Sequence, residues 1–352
     1  MRYALTTALC LALAAVPATA QDEGHARGDS GAHGAHAEGD AATHAEHGAH
    51  AQPHDAHAHH SAEGRTMTAS SRLAWPSRGT VGTIVVAHGG SPEWNAPVLA
   101  IARTAPTGGP VEVALLMGDS APAYRFQDAG AKLVERGAQR IVVVPLLASS
   151  HSGHYDQIRY LTGDLDTLSE SMVHHLHMAG IERPSVAVPM RLTPALDASM
   201  EIATILAARA LNLADDPSAQ ALYIVGHGPN SAEDHAGWMA NLRPVADSIA
   251  ALTGFRDVKL GLVRDDAPDA VREEAVRSIR ETIELQHALT QRDVVVVPVL
   301  VSKGYVSTRK LPVDLQGLPI AYDAEGLLPH PELGNWIARR VREAADVRTA
   351  SP

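Results

Sequence analysis

The apolar positions of this chain fall into short β-branched runs, and two of these runs occur twice in the same order. Residues 83–90 read TIVVAHGG and residues 222–228 read LYIVGHG, so each run ends at a histidine followed by glycine. A second pair follows in each half, IVVVPLLAS at 141–149 and VVVVPVLVS at 294–302. Continuous runs of this kind are typical of strands buried on both faces of a parallel sheet. The duplication predicts two homologous α/β halves.

The segments between these runs continue an alternation of strands and helices. In the first half the pattern predicts strands at 83–87, 111–116, 141–145 and 186–188, helices at 95–102, 123–136, 164–178 and 196–211, and a polar loop after 145. In the second half it predicts strands at 221–226, 258–263, 293–298 and 319–322 and helices at 231–251, 268–289 and 331–345. Such an order implies right-handed β-α-β crossovers. We therefore expect two tandem doubly wound, flavodoxin-like domains, each a four-stranded parallel sheet, over residues 80–215 and 218–348.

The first 20 residues are typical of a secretory signal peptide. Arg2 supplies a positive start, residues 9–16 are apolar, and Ala18-Thr-Ala20 is a small-residue cleavage site. The only cysteine, Cys10, lies inside this segment. No later run reaches the roughly 18 apolar residues that a membrane helix needs. The sequence therefore predicts cleavage near Ala20, no membrane span, and a periplasmic or secreted protein.

Residues 21–75 differ in composition from the rest of the chain. Ten of the 20 histidines fall between His25 and His60, and no large apolar residue occurs before Met67. Such a segment has too little apolar surface to offset the entropy of ordering, so we expect it to be disordered. Neutral imidazoles bind Zn²⁺, Co²⁺ and Ni²⁺. The segment is either a flexible metal trap or a solvated tether; the candidate ligands are His54, His57, His59 and His60.

Composition and motifs exclude two classes of partner. A formal net charge of −11 over 352 residues argues against nucleic acid, which is usually bound by a basic face. Neither half contains a complete G-x-G-x-x-G or P-loop pattern, so no nucleotide is expected.

Histidines follow two strands of the first half. His88 ends the first strand, and the loop after the third strand carries His151 and His154. The carboxyl ends of the first and third strands are neighbours in a doubly wound sheet, where ligands usually bind. Two facing neutral imidazoles make a metal-ligand pair or a base that works near neutral pH. Either His151 or His154 could be the partner of His88.

These residues resemble the class II tetrapyrrole chelatases, the sirohydrochlorin cobalto- and ferrochelatases of the CbiX, SirB and CbiK type. The resemblance covers residues of about 80–345 and depends on Ala87-His88-Gly89, on GAQRIVVVPLL at 137–147, and on GLLPHPEL at 326–333. It implies that two histidines bind the metal and take up the pyrrole protons as the ion enters the ring. The resemblance places His88 and His154 in these catalytic roles, with His151 as a further candidate metal ligand.

The second half departs from this pattern. It keeps His227, but aligning Pro145 with Pro298 sets Gly304 opposite His151 and Ser307 opposite His154. We therefore expect the first half to bear the ligands and the second to be a degenerate copy. A secondary or vestigial site there would consist of His227, His235 and Glu233.

The resemblance also implies a carboxylate-rich, planar substrate. Candidate residues for binding it are Arg159, Arg191, Arg264, Lys303 and Tyr305. Two functions are consistent with the sequence. One is an exported chelatase that inserts Co²⁺, Fe²⁺ or Ni²⁺ into a sirohydrochlorin-like tetrapyrrole. The other is a periplasmic protein that binds or delivers metal, Zn²⁺ included, on the same fold without turnover.

Overall fold

The computed structural model describes residues 70–346, which lie in one compact unit with two four-stranded sheets. The strands are β1 (Val81–Ala87), β2 (Val111–Leu115), β3 (Arg140–Leu146), β4 (Met190–Leu192), β5 (Ala221–Gly226), β6 (Asp257–Leu262), β7 (Val294–Val299) and β8 (Ile320–Tyr322). The helices are α1 (Pro92–Thr104), α2 (Phe126–Glu135), α3 (Gly153–Thr162), α4 (Glu170–Met178), α5 (Met200–Leu213), α6 (Ala232–Thr253), α7 (Asp269–Thr290), α8 (Leu311–Asp314) and α9 (Pro331–Asp346). The strand orders are β2-β1-β3-β4 and β6-β5-β7-β8, with all neighbours parallel. The predicted fold class is confirmed.

Successive residues of each central strand face two different cores. In β1, Ile84 and Val86 pack with α2 in an outer core, whereas Val85 and Ala87 face a central core. Strand β5 divides its residues between the central core and the outer core on the other side of the molecule. This alternation follows from the two-residue period of a strand. The result is a layered molecule in which both sheets share the central core.

The last helix of each half packs against the opposite sheet. Helix α5 follows the first sheet but packs on β7 and α6, and α9 follows the second sheet but packs on β1, β3 and α1. Trp336 of α9 is fully buried, and Gly334 brings α9 close to α1, since a Cβ there would lie 3.3 Å from Ile101 Cδ1. Arg339 of α9 also pairs with Glu201 of α5 at 2.9 Å. The two halves are therefore interlocked, and the boundary between 215 and 218 stays a prediction.

The polar loop predicted after β3 is present but shorter than expected, because helix α3 begins at Gly153. Ser152 Oγ accepts a hydrogen bond from the Tyr155 N–H at 3.2 Å, which caps the helix, and Gly163 ends it with φ +89°. Ile158 is fully buried in the outer core. The polar residues at the start of α3 concealed its apolar face. The helix predicted at 164–178 is correspondingly shorter, because only α4 forms.

The fourth strand lies further along the chain than predicted. The apolar residues 186–188 do not form this strand. The hydrogen bonds that join β3 to β4 begin just before β4, where the Ile141 N–H donates to the Pro189 carbonyl at 2.9 Å. Proline lacks a donor, but its carbonyl can start the pairing. The helix predicted from 196 starts later, at α5, because Asp197 has φ +46°.

The predicted signal peptide and nearly all of the predicted disordered segment lie outside the described residues. From the end of that segment, residues 70–72 form a short 3₁₀ turn, and Trp75 packs under two guanidinium groups. Between residues 70 and 346, no helix is both long and apolar enough to cross a membrane.

Candidate metal centre

His88 lies directly after β1 with its ring orientation fixed by the backbone. Its Nδ1 is 2.7 Å from the Gly89 carbonyl oxygen. A carbonyl can only accept, so Nδ1 carries the proton and Nε2 keeps its lone pair. Gly89 has φ +89°, and a Cβ there would collide with the Met117 carbonyl, so the turn requires glycine.

His154 lies in the first turn of α3 and is oriented by a side chain. Its Nδ1 is 2.9 Å from Gln157 Oε1. The same carboxamide donates from Nε2 to the Met172 carbonyl at 3.0 Å, which fixes Oε1 as the atom that faces the histidine. His154 Nδ1 therefore carries the proton, and Nε2 is the atom able to bind a metal ion.

The rings of His88 and His154 contact each other. Their centroids are 4.6 Å apart and their planes are nearly perpendicular, at 88°. Burial, reinforced by His154, lowers the pKa of His88 to about 4. Burial also lowers the pKa of His154. Both imidazoles are thus neutral near pH 7, which is the form that binds a metal ion or accepts a proton.

His227 is the counterpart of His88 at the end of β5. Its Nδ1 is 2.8 Å from the Gly228 carbonyl oxygen, so it has the same tautomer. Its Nε2 lies 3.4 Å from a carboxylate oxygen of Asp266 and 3.9 Å from one of Asp265. These three residues form a group whose ligand atoms lie within 4.8 Å of one another.

The two carboxylates beside His227 differ in their surroundings. Asp265 is buried and pairs with Lys310 at 2.6 Å and with Arg272 at 3.1 Å. Its burial alone would raise the pKa of this carboxyl group, but the hydrogen bonds from Lys310 and Arg272 hold the pKa below its usual value. The side chain of Asp266 is 65% exposed. Because Asp265 already has two cationic partners, Asp266 is the carboxylate better placed to bind a metal ion or accept a proton.

The charges of the second half reach the histidine pair of the first. Burial is the largest cause of the low pKa values of His88 and His154, but a charge on His227 lowers both further, and Asp266 raises both. Such effects require short separations. The three imidazoles and the Asp266 carboxylate are therefore near one another, and all of them follow the carboxyl ends of strands; we call this region the crevice.

The structure distinguishes the two histidines of the loop after β3. The ring that meets His88 belongs to His154. His151 is exposed, and its ring lies against Gly237 of α6, where a Cβ would collide with it. The His151 carbonyl accepts a hydrogen bond from Trp238 Nε1 at 2.6 Å. His151 thus ties the two halves together at the rim of the crevice.

The neighbours of His227 were not those predicted. Glu233 is exposed on the first turn of α6, and the pKa of the partly buried His235 is lowered by burial and by Arg264. The carboxylates that adjoin His227 are Asp265 and Asp266. They follow β6, the strand beside β5, so the rule that polar residues gather at strand ends would have found them.

Two of the predicted substrate-binding cations lie beside β4. Arg159 pairs with Asp156 at 2.9 Å. Arg191 lies over the ring of Trp75 at 4.2 Å and donates to the Ala344 carbonyl at 2.7 Å. Both line a cavity of about 500 Å³ whose walls come from α3, β4 and α9 and do not include the histidines of the crevice.

The other three predicted substrate-binding residues belong to the second half. Arg264 donates to the Pro229 carbonyl at 3.1 Å and so holds the turn that follows His227. Lys303 pairs with Glu325 at 2.8 Å. Tyr305 is 68% exposed. These side chains occupy the loops after β6 and β7, at the edge where the crevice lies.

The loop after β7 also packs onto the first half. Ser302 Oγ donates to the Trp94 carbonyl at 3.0 Å, and a Cβ at Gly304 would lie 2.9 Å from Trp94 Cδ1. The Trp94 ring is in turn 6.3 Å from that of His88. Lys303 and Tyr305 are thereby brought to the same side of the molecule as His88.

Fold and site together define an α/β protein of chelatase-like fold with a histidine-lined crevice between its sheets. Residues 82–213, within the half predicted to bear the ligands, match the model of the CbiX family. SirB from Bacillus subtilis with Fe³⁺ has the same fold, at 16% identity and a TM-score of 0.54, over 76% of this chain and 96% of that chain. The sirohydrochlorin chelatase SirB from Bacillus subtilis subspecies spizizenii in complex with cobalt is similar at 16% identity and a TM-score of 0.50, over 76% and 95%. Comparison with curated proteins finds no match.

Proposed function

We propose that this protein is an exported chelatase that inserts a divalent ion, Co²⁺, Fe²⁺ or Ni²⁺, into a sirohydrochlorin-like tetrapyrrole without a nucleotide. The observation that carries the proposal is the pair His88 and His154, two neutral imidazoles in contact with their Nδ1 atoms fixed. The CbiX match over residues 82–213 supports it, as do the similar SirB structures that hold Fe³⁺ and cobalt. Export rests on the predicted signal at residues 1–20.

The reaction replaces two pyrrole N–H bonds by metal–nitrogen bonds and releases two protons. The ion, as substrate, first binds to Nε2 of His88 and of His154. As it approaches the ring, its charge lowers the pKa of the pyrrole N–H groups. When the ion leaves the imidazoles, each Nε2 can accept one proton. Two protons then replace the two charges of the ion, so the net charge of the crevice does not change.

The low pKa values of the pair favour rapid loss of these protons. Burial disfavours the imidazolium form of both His88 and His154. His227 provides a third imidazole, and its Nε2 is 3.4 Å from Asp266, whose side chain is 65% exposed. We infer that His227 and Asp266 pass protons from the crevice to solvent. His88 and His154 are then neutral again and can bind the next ion.

The tetrapyrrole would enter from the side where loops of the two halves meet. Arg264 and Lys303 are the predicted cations on this side, and they would pair with substrate carboxylates. Trp94, 6.3 Å from the His88 ring, and the exposed Tyr305 offer aromatic faces for a planar ring. Arg159 and Arg191 line the separate cavity beside β4, so they have no place in this proposal.

The test is anaerobic incubation with sirohydrochlorin and Co²⁺, followed by visible absorption. The chain should speed metallation above the uncatalysed rate, and a variant with His88→Ala and His154→Ala should lose that acceleration. His287→Ala, on α7 and outside the crevice, serves as the matched control. Co²⁺ binding in the crevice without a change in the tetrapyrrole spectrum would instead favour a metal-binding or delivery protein that lacks turnover.

A further inference from the structure

Helix α4 carries a cluster of histidines that the proposed mechanism does not use. His174, His175 and His177 are all exposed, and Met178, which follows them, is 75% exposed. Imidazole nitrogen and thioether sulfur are ligands for Co²⁺, Ni²⁺, Zn²⁺ and copper ions. The helix thus concentrates metal ligands on one short surface element.

Helix α4 is attached to the residues that hold His154. The Met172 carbonyl accepts the hydrogen bond from Gln157 that fixes the His154 tautomer. The Met172 side chain also covers Gly153, where a Cβ would lie 3.0 Å from its Cε. His175 is three residues after Met172 and therefore on the same face of the helix. In agreement, a charge on His175 lowers the pKa of His154. Burial, which lowers this pKa, and the hydrogen bond with Gln157, which raises it, have larger effects.

The other two histidines form a pair on the outer face. His174 and His177 are three residues apart, and His174 and Met178 are four apart, so all three are neighbours on a helix. Leu176, on the inner side, is buried in the outer core. One ion can therefore contact two imidazoles and a thioether at the surface, next to the face on which His175 lies.

We propose that α4 is a metal-collecting station, in which His174 and His177, helped by Met178, take up a divalent ion that His175 passes to His154. The ligand is a borderline ion such as Co²⁺, Ni²⁺ or Zn²⁺. The delivery step rests on the proposed function, because His154 is there the residue that hands the ion to the tetrapyrrole. The uptake step depends only on the surface of α4.

Histidines near the carboxyl end of a helix also have a simpler role, since their charged form stabilises the helix dipole. His287 in the last turn of α7 supplies a matched control. It is only partly buried, and its Nδ1 lies 2.8 Å from the Arg292 carbonyl oxygen. A purely structural role predicts equal behaviour of His287 and the α4 histidines toward metal.

The first test is residue-resolved labelling of histidines with diethyl pyrocarbonate in the full chain. Co²⁺ is added beyond the point at which labelling of the N-terminal histidines stops changing. His174 and His177 should then be protected several-fold, and His287 should not. Equal labelling of the α4 histidines with and without Co²⁺ overturns the proposal.

The second test measures delivery without a tetrapyrrole. Stopped-flow absorption follows Co²⁺ entry into the crevice. The signal from the crevice is the difference between the absorption traces of the wild type and of its His88→Ala variant. The variant His174→Gln with His177→Gln should slow entry several-fold and leave the final amplitude unchanged, whereas His287→Gln should alter neither. An unchanged rate overturns delivery. A chain that fills the crevice through α4 but never metallates sirohydrochlorin would refute the proposed function and leave the station standing.

Discussion

Gln157 holds His154 by a side-chain contact, with Oε1 2.9 Å from Nδ1. His88 and His227 are held instead by the carbonyl groups of the glycines that follow them, at 2.7 and 2.8 Å. The backbone contacts cannot be removed by substitution of a side chain, but the contact of His154 can. The orientation of one imidazole of the pair is therefore open to a direct mutational test.

Gln157→Leu should weaken metal binding in the crevice and leave the fold intact. The substitution removes the acceptor for Nδ1–H, and loss of such an outer partner typically costs about 10- to 100-fold in metal affinity. Co²⁺ titration followed by visible absorption measures the change. Gln127→Leu is the control, since the side chain of Gln127 bonds to the backbone of Gly180 and Glu182 and not to His88 or His154. Equal affinities in both variants would show that Gln157 does not orient the ligand.

The stability of the protein should fall as the pH drops from about 6.5 to about 4. In the fold the pKa of His88 is lowered to about 4 from an ordinary value of 6.5, with burial as the main cause. The unfolded chain thus binds more protons in this range, and the expected loss is on the order of 2–3 kcal/mol. Urea unfolding of the wild type and of His88→Gln across this range would show a flatter dependence in the variant. Parallel curves would contradict the lowered pKa.

His88→Ala should reduce metal binding in the crevice more than His227→Ala. Removing His88 leaves His154 without the imidazole it contacts, whereas removing His227 leaves the pair intact. Co²⁺ titrations of both variants, with the N-terminal histidines replaced by serine in each, would compare them. A larger loss in His227→Ala would place the principal metal site at His227, Asp265 and Asp266.

Replacing the ten histidines between His25 and His60 by serine should remove most of the bound Zn²⁺ or Ni²⁺ and leave the melting temperature nearly unchanged. The reason is that the described unit has its own cores, while the predicted leader offers many ligands and little apolar surface. Metal analysis after gel filtration and a thermal melt give the two readouts. Deletion of residues 21–69 should have the same effects, and a large drop in melting temperature would argue against a tether.

Asp197→Ala should destabilise the chain by about 2–3 kcal/mol, because it leaves several donors without a charged acceptor. Asp197 accepts from the Ser150 N–H at 2.7 Å, from Ser150 Oγ at 2.7 Å and from Asn241 Nδ2 at 2.9 Å. It does so with φ +46°, a conformation that asparagine tolerates. Asp197→Asn should therefore lose less, as urea unfolding would show. Similar losses in both variants would mean that the backbone conformation, rather than the carboxylate, matters there.

The parts of the fold that could be predicted are those in which one residue type has one explanation. The β-branched runs of β1, β3, β5 and β7 have no alternative to burial between two layers. His88 could be predicted as a site residue because ligands bind beyond the carboxyl ends of such strands. Helix α3 was missed because its start is polar: Ser152 caps the helix and His154 belongs to the candidate site.

The missed site residues depend on contacts between distant segments. Asp266 lies against His227 only because β6 pairs with β5, and Gln157 turns toward His154 only because Met172 of α4 takes its amide. Likewise, nothing local to Arg191 shows that Trp75 will cover its guanidinium group. Residue type and spacing identified the crevice, while the partners of its side chains required the packed chain.

The placement of α9 on the first sheet sets an order of events during folding. The face of β1 and β3 that receives Trp336 consists of residues near the start of the folded region. Helix α9, which covers this face, lies about two hundred residues further along the chain. Until α9 is available to dock, this sheet has an open apolar face, and a chain that stops after the first half should be prone to aggregation and require a chaperone. The histidine pair, although encoded entirely within the first half, therefore gains its final rigid setting only when the last helix docks.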